Sequence, residues 1–214
     1  MARPAKFTTE DLLDGALRAV AAHGTSATLA QVAQEVGAPM GSIYHRYASR
    51  EHLFVALWLR SIRAFHVGLL ATREIDDPRE ALLAQAIHIP RWCRDHPDVA
   101  LAMTLYRQRQ LLAAPPAHLE DEVRTLNDEV RELGREQAAA FYGRREDHLE
   151  QVMALAVRQC PYGLVRPFIG SGMPLPPWID EACVAAAAAI LDLEKPEKPE
   201  KPEKPEKPEK PEKP

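Results

Sequence analysis

The stretch from Met40 to Arg46 sets a thioether (Met40), an unsubstituted backbone position (Gly41), a hydroxyl (Ser42), a phenol (Tyr44), an imidazole (His45) and a guanidinium (Arg46) around the apolar Ile43. These groups make and accept hydrogen bonds, carry positive charge and include no acid. Their chemistry is recognition rather than bond-making: contacts to phosphate oxygens and to the edges of bases in a DNA groove. Chemistry of the bond-making kind has no comparable foothold. The chain lacks G-x-S-x-G, a P-loop, a dinucleotide fingerprint and H-E-x-x-H. Acidic runs such as Glu120-Asp121-Glu122 alternate with Arg124 and Arg131, as on a solvated helix face. The expectation is a protein that is not an enzyme and needs no cofactor.

Presenting those groups requires a rigid helical frame, and the flanking residues describe one. Leu12, Leu13, Ala16, Leu17 and Val20 recur at helical spacing from about Thr8 to His23, with Thr8-x-x-Asp11 as a capping box and Gly24 as the stop. A second helix from Thr28 to Val36 turns Leu29, Val32, Ala33 and Val36 inward, again with a capping box, Thr28-x-x-Gln31, and a stop at Gly37. A short third helix follows Pro39, with Ile43 and Tyr47 as core. Ser49 then caps a long fourth helix through Leu53, Phe54, Leu57, Trp58, Ile62 and Phe65. Two short helices separated by Gly37-Ala38-Pro39 and packed on a longer one form a helix-turn-helix, whose second member enters the major groove.

The run Thr28-Leu-Ala-Gln-Val-Ala-Gln-Glu-Val-Gly37, followed by Ala38-Pro-Met-Gly-Ser-Ile-Tyr44-His-Arg-Tyr47 and Ala48-Ser-Arg50-Glu-His-Leu53, resembles the TetR-type transcriptional regulators. Its Gly-x-x-x-Gly-x-x-Tyr-x-x-aromatic spacing carries the likeness. The resemblance implies that Thr28 offers its hydroxyl or amide to a phosphate, that Tyr44 reaches the DNA backbone, and that Arg50, where the family usually has lysine, neutralises a phosphate. Ser42, His45 and Arg46 are then candidates for base-edge or mixed contacts. Pro39 and Met40 depart from the family's usual capping serine and polar residue, which leaves Met40 for an apolar contact such as a thymine methyl.

Composition agrees with a helical, DNA-facing chain of 214 residues with a formal charge of -4. Residues 1–66 carry seven Lys or Arg against five Asp or Glu, whereas residues 67–193 carry thirteen against nineteen. A mildly basic front on an acidic body suits one nucleic-acid-facing end. The longest nearly unbroken apolar run, Cys183 to Leu191, is short for a membrane span, and the N-terminus has no signal-like apolar region. Cytoplasmic residence without a membrane partner is therefore expected. Three cysteines without metal-ligand spacing fit neither a disulfide scaffold nor a zinc module, and His88, Cys93 and His96 form no complete ligand set. No metal is expected. From Glu194 to Pro214 stand seven copies of Glu-Lys-Pro, an extended solvated tail by composition.

The expected architecture is all-α, with about nine helices in three parts: a helix-turn-helix DNA-binding domain (1–66), a helical ligand-binding and dimerisation domain (67–193) and a disordered tail (194–214). Pro90 should bend or interrupt the helix that starts after Pro78. By resemblance the body forms a homodimer through its last two long helices and encloses a small-molecule effector. His88, Trp92, Met103, Tyr106, Asn127, Phe141, Tyr142 and Gln159 are its candidate contacts, and each would serve equally as ordinary core. The leading expectation is a repressor released from a palindromic operator in double-stranded DNA when a small molecule binds. Two alternatives share these residues: a regulator controlled by a protein partner or by no ligand, and a small-molecule carrier or enzyme that has lost DNA reading.

Overall fold

The computed structural model describes residues 7–194, so the expected Glu-Lys-Pro tail lies outside the described residues apart from Glu194. Everything described is helix, turn or loop, with twelve α-helical segments. The surplus over nine comes from short pieces that follow breaks and from a π-turn that splits one long run.

Helices α1 (Thr9–His23), α2 (Leu29–Val36) and α3 (Met40–Tyr44) form the front of the molecule. Both expected capping boxes are made: the Thr8 amide donates to Asp11 Oδ2 at 2.7 Å, and the Thr28 amide donates to Gln31 Oε1 at 2.8 Å. Gly37 holds φ +66°, the left-handed turn between α2 and α3 that other residues adopt at a cost. Gly15 lets α1 lie against α2, since a Cβ there would collide with the Val36 side chain. Leu12, Ala16, Val20, Val32, Ile43, Leu53, Phe54 and Leu57 close a core in which the last three come from α4 (Arg50–Leu70).

Helix α4 is the spine. Its opposite face carries Val55, Trp58 and Leu59 into a second core with Leu111 of α7 (Gln108–Leu111) and Val123 of α8 (Glu120–Thr125). Together with the turn that follows it, the run Arg50–Glu74 is long and apolar enough to cross a membrane by length and composition. Its apolar residues are instead the shared wall of several cores, which explains why they surround the helix.

Helices α5 (Pro78–Asp95), α6 (Pro97–Met103) and α9 (Asp128–Tyr142) continue the body. Helix α5 runs through Pro90 without interruption, at the expense of the amide bond that proline cannot make. Helix α6 wedges between the front and the body: Ala102 sits in the front core, and the Met103 carbonyl accepts from Trp58 Nε1 at 3.0 Å. Helix α10 (Asp147–Ala154) passes through a π-turn (Leu155–Gln159) into α11 (Cys160–Val165), and α12 (Trp178–Leu191) closes the bundle. Leu82, Ala86, Ala138, Tyr142, Met153, Val157 and Ala187 form the body core. Within it the buried Gln85 and Gln137 amides pair, and Gln137 Nε2 also donates to the Thr72 carbonyl at 3.2 Å. No buried side-chain nitrogen or oxygen lacks a partner among the described residues.

Candidate DNA-contact surface and internal cavity

Packing Ile43 and Tyr47 inward forces the intervening residues of α3 and its C-terminal turn outward. Tyr44 is 55% exposed. Gly41 and His45 are exposed too, and a Cβ added at Gly41 would meet nothing within 4 Å. The glycine is thus not required by packing inside the molecule, although it weakens a helix by about 1 kcal/mol relative to alanine. Ser42 is half-buried beside them, and Met40 packs partly against the front core. Thr28 is exposed at the start of α2, with its amide and hydroxyl both engaged by Gln31.

The two arginines are engaged within the protein. Arg46 Nη2 donates to the Phe7 carbonyl at 2.6 Å and its Nη1 to the Ser42 carbonyl at 3.4 Å, so it ties the chain's N-terminal segment to α3. Arg50 Nε donates to the Ala27 carbonyl and Nη2 to the Thr25 carbonyl, each at 2.7 Å, while its guanidinium lies 4.6 Å over the Phe54 ring. Both side chains are half-buried clamps on backbone carbonyls. A guanidinium has five donors, so each keeps N–H groups beyond these bonds. Nothing in the local sequence announces the carbonyls of Phe7, Thr25 and Ala27, because they reach these arginines only through the fold.

A cavity of about 500 Å³ opens behind the front, within the usual size range of small-molecule sites. Helix α4 supplies Ile62, Phe65, His66 and Leu69, an i, i+3, i+4, i+7 stripe. Ile89 and Cys93 of α5, Ala100 and Met103 of α6, and Ile169 add apolar wall. The polar lining is Asn127, Arg131, Arg158 and Gln159, with Thr104. Burial lowers the His66 imidazole to about 4, against a hydrogen bond with Asn127 that works to raise it, so the ring is neutral at neutral pH. Burial also pushes the Cys93 thiol up to about 12, which removes its thiolate.

Of the residues expected at a pocket, Met103, Asn127 and Gln159 line this cavity. The others stand elsewhere. His88 and Trp92 are one residue off the α5 stripe of Ile89 and Cys93, and a helix turns about 100° per residue. The His88 ring stacks on Phe65 at 4.9 Å with Nε2 3.0 Å from the Phe65 carbonyl, and Trp92 stacks on His96 at 4.7 Å. Tyr106 packs against the front core. Phe141 and Tyr142 belong to the body core, where the Tyr142 hydroxyl donates to the Leu191 carbonyl at 3.2 Å. Conversely, Phe65, His66, Arg131 and Arg158 line the cavity without having been singled out for it. The α4 periodicity contained Phe65; an isolated arginine in Leu155-Ala-Val-Arg158-Gln159 was the signal for the last. No cluster of three His, Cys, Asp or Glu residues suited to a metal occurs among the described residues.

Residues 12–57 match the family model of the bacterial regulatory proteins of the tetR family. No curated protein matches the chain. Among solved structures, a transcriptional regulator from Rhodococcus sp. Rha1 is 19% identical, with 86% of this chain and 96% of that one covered at a TM-score of 0.67. The ketosteroid transcriptional regulator KstR2 of Mycobacterium tuberculosis is 18% identical, covering 92% of this chain and 99% of its own at a TM-score of 0.64. PfmR from Thermus thermophilus, a TetR family transcriptional regulator, is 19% identical over 85% of this chain and 97% of its own, with a TM-score of 0.62. At such identities the likeness is one of fold. Residues 12–57 are thus a tetR-family N-terminal helix-turn-helix domain, and the helices that follow it share the fold of the solved regulators.

Proposed function

We propose that the protein is a cytoplasmic homodimeric repressor that leaves a palindromic DNA operator when a small molecule enters the cavity. One observation carries the reading: the helix that lines the cavity with Ile62, Phe65, His66 and Leu69 also builds the helix-turn-helix core with Leu53, Phe54 and Leu57. Helix α6 doubles the connection, with Ala100 and Met103 at the cavity and Ala102 in the front core. A ligand that wedges α4 from α6 therefore acts on the platform that carries α3. We assign the reading of DNA to residues 1–66 and effector binding and dimerisation to residues 67–193.

In this reading Tyr44, His45, Gly41, Ser42 and Met40 face the major groove, Thr28 faces a phosphate, Arg46 supports that surface while offering its remaining donors, and Arg50 holds it in place from behind. The exposed Leu155, Tyr162 and Trp178 lie on the two closing runs of helix and suit burial against a second copy. Twofold symmetry would then set two recognition helices about 34 Å apart, on successive major-groove faces. Release requires the ligand to favour the misspaced form: moving the population from 1:99 to 99:1 takes about 10⁴-fold preferential affinity.

The test is fluorescence anisotropy on labelled fragments tiling the DNA beside the protein's own gene, at near-physiological salt with nonspecific competitor. Tight binding to one fragment, lost when a stabilising metabolite is added, is the expected result. A metabolite that binds the cavity tightly while operator affinity stays unchanged would overturn the release mechanism.

A further inference from the structure

The cavity lining includes a cation without an ion pair among the described residues. Arg158 lies on the π-turn between α10 and α11, half-buried in the cavity wall, and has no ion pair or hydrogen bond with a protein group among the described residues. Its guanidinium lies over α9 at Gly134: a Cβ added there would come within 3.5 Å of Nη1. Neighbouring charges are already matched. Arg131 pairs with Asp128 at 3.0 Å and donates to Gln108 Oε1, also at 3.0 Å. Glu150, the acid acting on Arg158, lies 3.7 Å from Arg135. Burial, then the like charge of Arg131, both disfavour the Arg158 cation, and Glu150 offsets them only in part. His66 adds no charge, since its ring is neutral, and Asn127 is engaged with Gln108 at 2.7 Å. Phe65, Leu69, Ile89 and Ile169 give the cavity apolar wall.

We infer that the cavity takes an amphipathic monoanion, an apolar body ending in a carboxylate, with Arg158 as its counter-ion. One unmatched positive charge calls for one negative charge, and the planar guanidinium suits the bidentate geometry of a carboxylate. The apolar body lies against the α4 stripe, which places it on the helix that reaches the DNA-binding core. The inference names the effector class and so rests on the effector reading above.

Straight-chain carboxylates from octanoate to tetradecanoate, with the matching alcohols and amines, are the probes. Binding to the full-length protein is read by thermal shift and titration calorimetry. At least one carboxylate should bind tighter than its alcohol and amine. Arg158→Met should weaken that carboxylate about 10- to 100-fold, the worth of a charge-assisted hydrogen bond, and leave the alcohol unchanged. Arg158→Lys should restore part of the loss, because it keeps the charge without the fork. Without probe, Arg158→Met should melt no lower than the wild type, since it removes a poorly solvated charge, and this identifies a folded variant. If alcohol and carboxylate bind alike, if no probe binds, or if Arg158→Met leaves the carboxylate unaffected, the inference is overturned. Anisotropy on the operator in the same samples separates the two readings. An alcohol or amine that releases DNA retains the effector reading and overturns the anion. A carboxylate held by Arg158 that leaves DNA affinity unchanged retains the anion and overturns the effector reading.

Discussion

Arg50→Lys separates two roles for one side chain. A phosphate contact needs only a positive charge at the start of α4, which lysine supplies. The fold uses Arg50 as a fork: Nε and Nη2 hold the Ala27 and Thr25 carbonyls at 2.7 Å each, with Phe54 beneath the guanidinium plane. A single ammonium cannot span both carbonyls while covering the ring. The loss is one charge-assisted hydrogen bond and part of a cation–π contact, at the low end of their range because the group is half-exposed. That amounts to about 2 kcal/mol. For a chain of this size it corresponds to a melting temperature lower by roughly 4–8 °C. The measurements are calorimetric melting and the slope of DNA affinity against salt. Arg50→Lys should melt lower with an unchanged salt slope. Arg50→Gln should also melt lower, again without losing the slope of about 0.9 that one phosphate contact contributes. A lysine variant that melts with the wild type, paired with a glutamine variant that loses that slope, would refute the clamp and return Arg50 to the phosphate.

Tyr44→Phe should weaken operator binding by about 2- to 10-fold, the worth of one hydrogen bond, with melting unchanged because the phenol is exposed; anisotropy and calorimetry on the same samples check both. Gly15→Val should destabilise the fold by about 2 kcal/mol or more, since the new side chain meets Val36 across the α1–α2 contact, and urea unfolding measures it. Stability should also fall in acid. The folded His66 binds its proton only near pH 4, against an ordinary value of 6.5, so between those values the unfolded chain takes up a proton that the native one refuses. The contribution present above pH 6.5 is lost as pH falls towards 4. His88, lowered by burial in the same direction, adds to the loss below its ordinary value of 6.5. Urea titrations at pH 7 and 5 should show a shallower acid loss in His66→Gln; an equal loss would place the proton elsewhere.

The front of the molecule was legible because its signals are local. Thr8 with Asp11 and Thr28 with Gln31 cap their own helices three residues away, and Gly37 needs only its own backbone to turn. The cavity was legible only in part. Met103, Asn127 and Gln159 were found among residues of adaptable or polar type, but His88, Trp92, Tyr106, Phe141 and Tyr142 have the same character and lie elsewhere. Residue type says that a side chain can line a pocket; helix rotation of one position decides whether it does.

The sequence by itself determined the all-helical class, the starts of the first four helices, the stops of the first two and the exposed Gly41, Tyr44 and His45, because caps, glycine turns and apolar periodicity act within a turn or two of chain. Tertiary structure alone decided that Arg50 grips Thr25 and Ala27, that Arg46 reaches Phe7, and that Arg158 stands unmatched where α4, α5, α6 and α9 leave a cavity. Each of those outcomes depends on groups 23 or more residues apart meeting in space, as Arg50 and Ala27 do. A charge's partner is set by distance through the fold, and no local pattern encodes that distance.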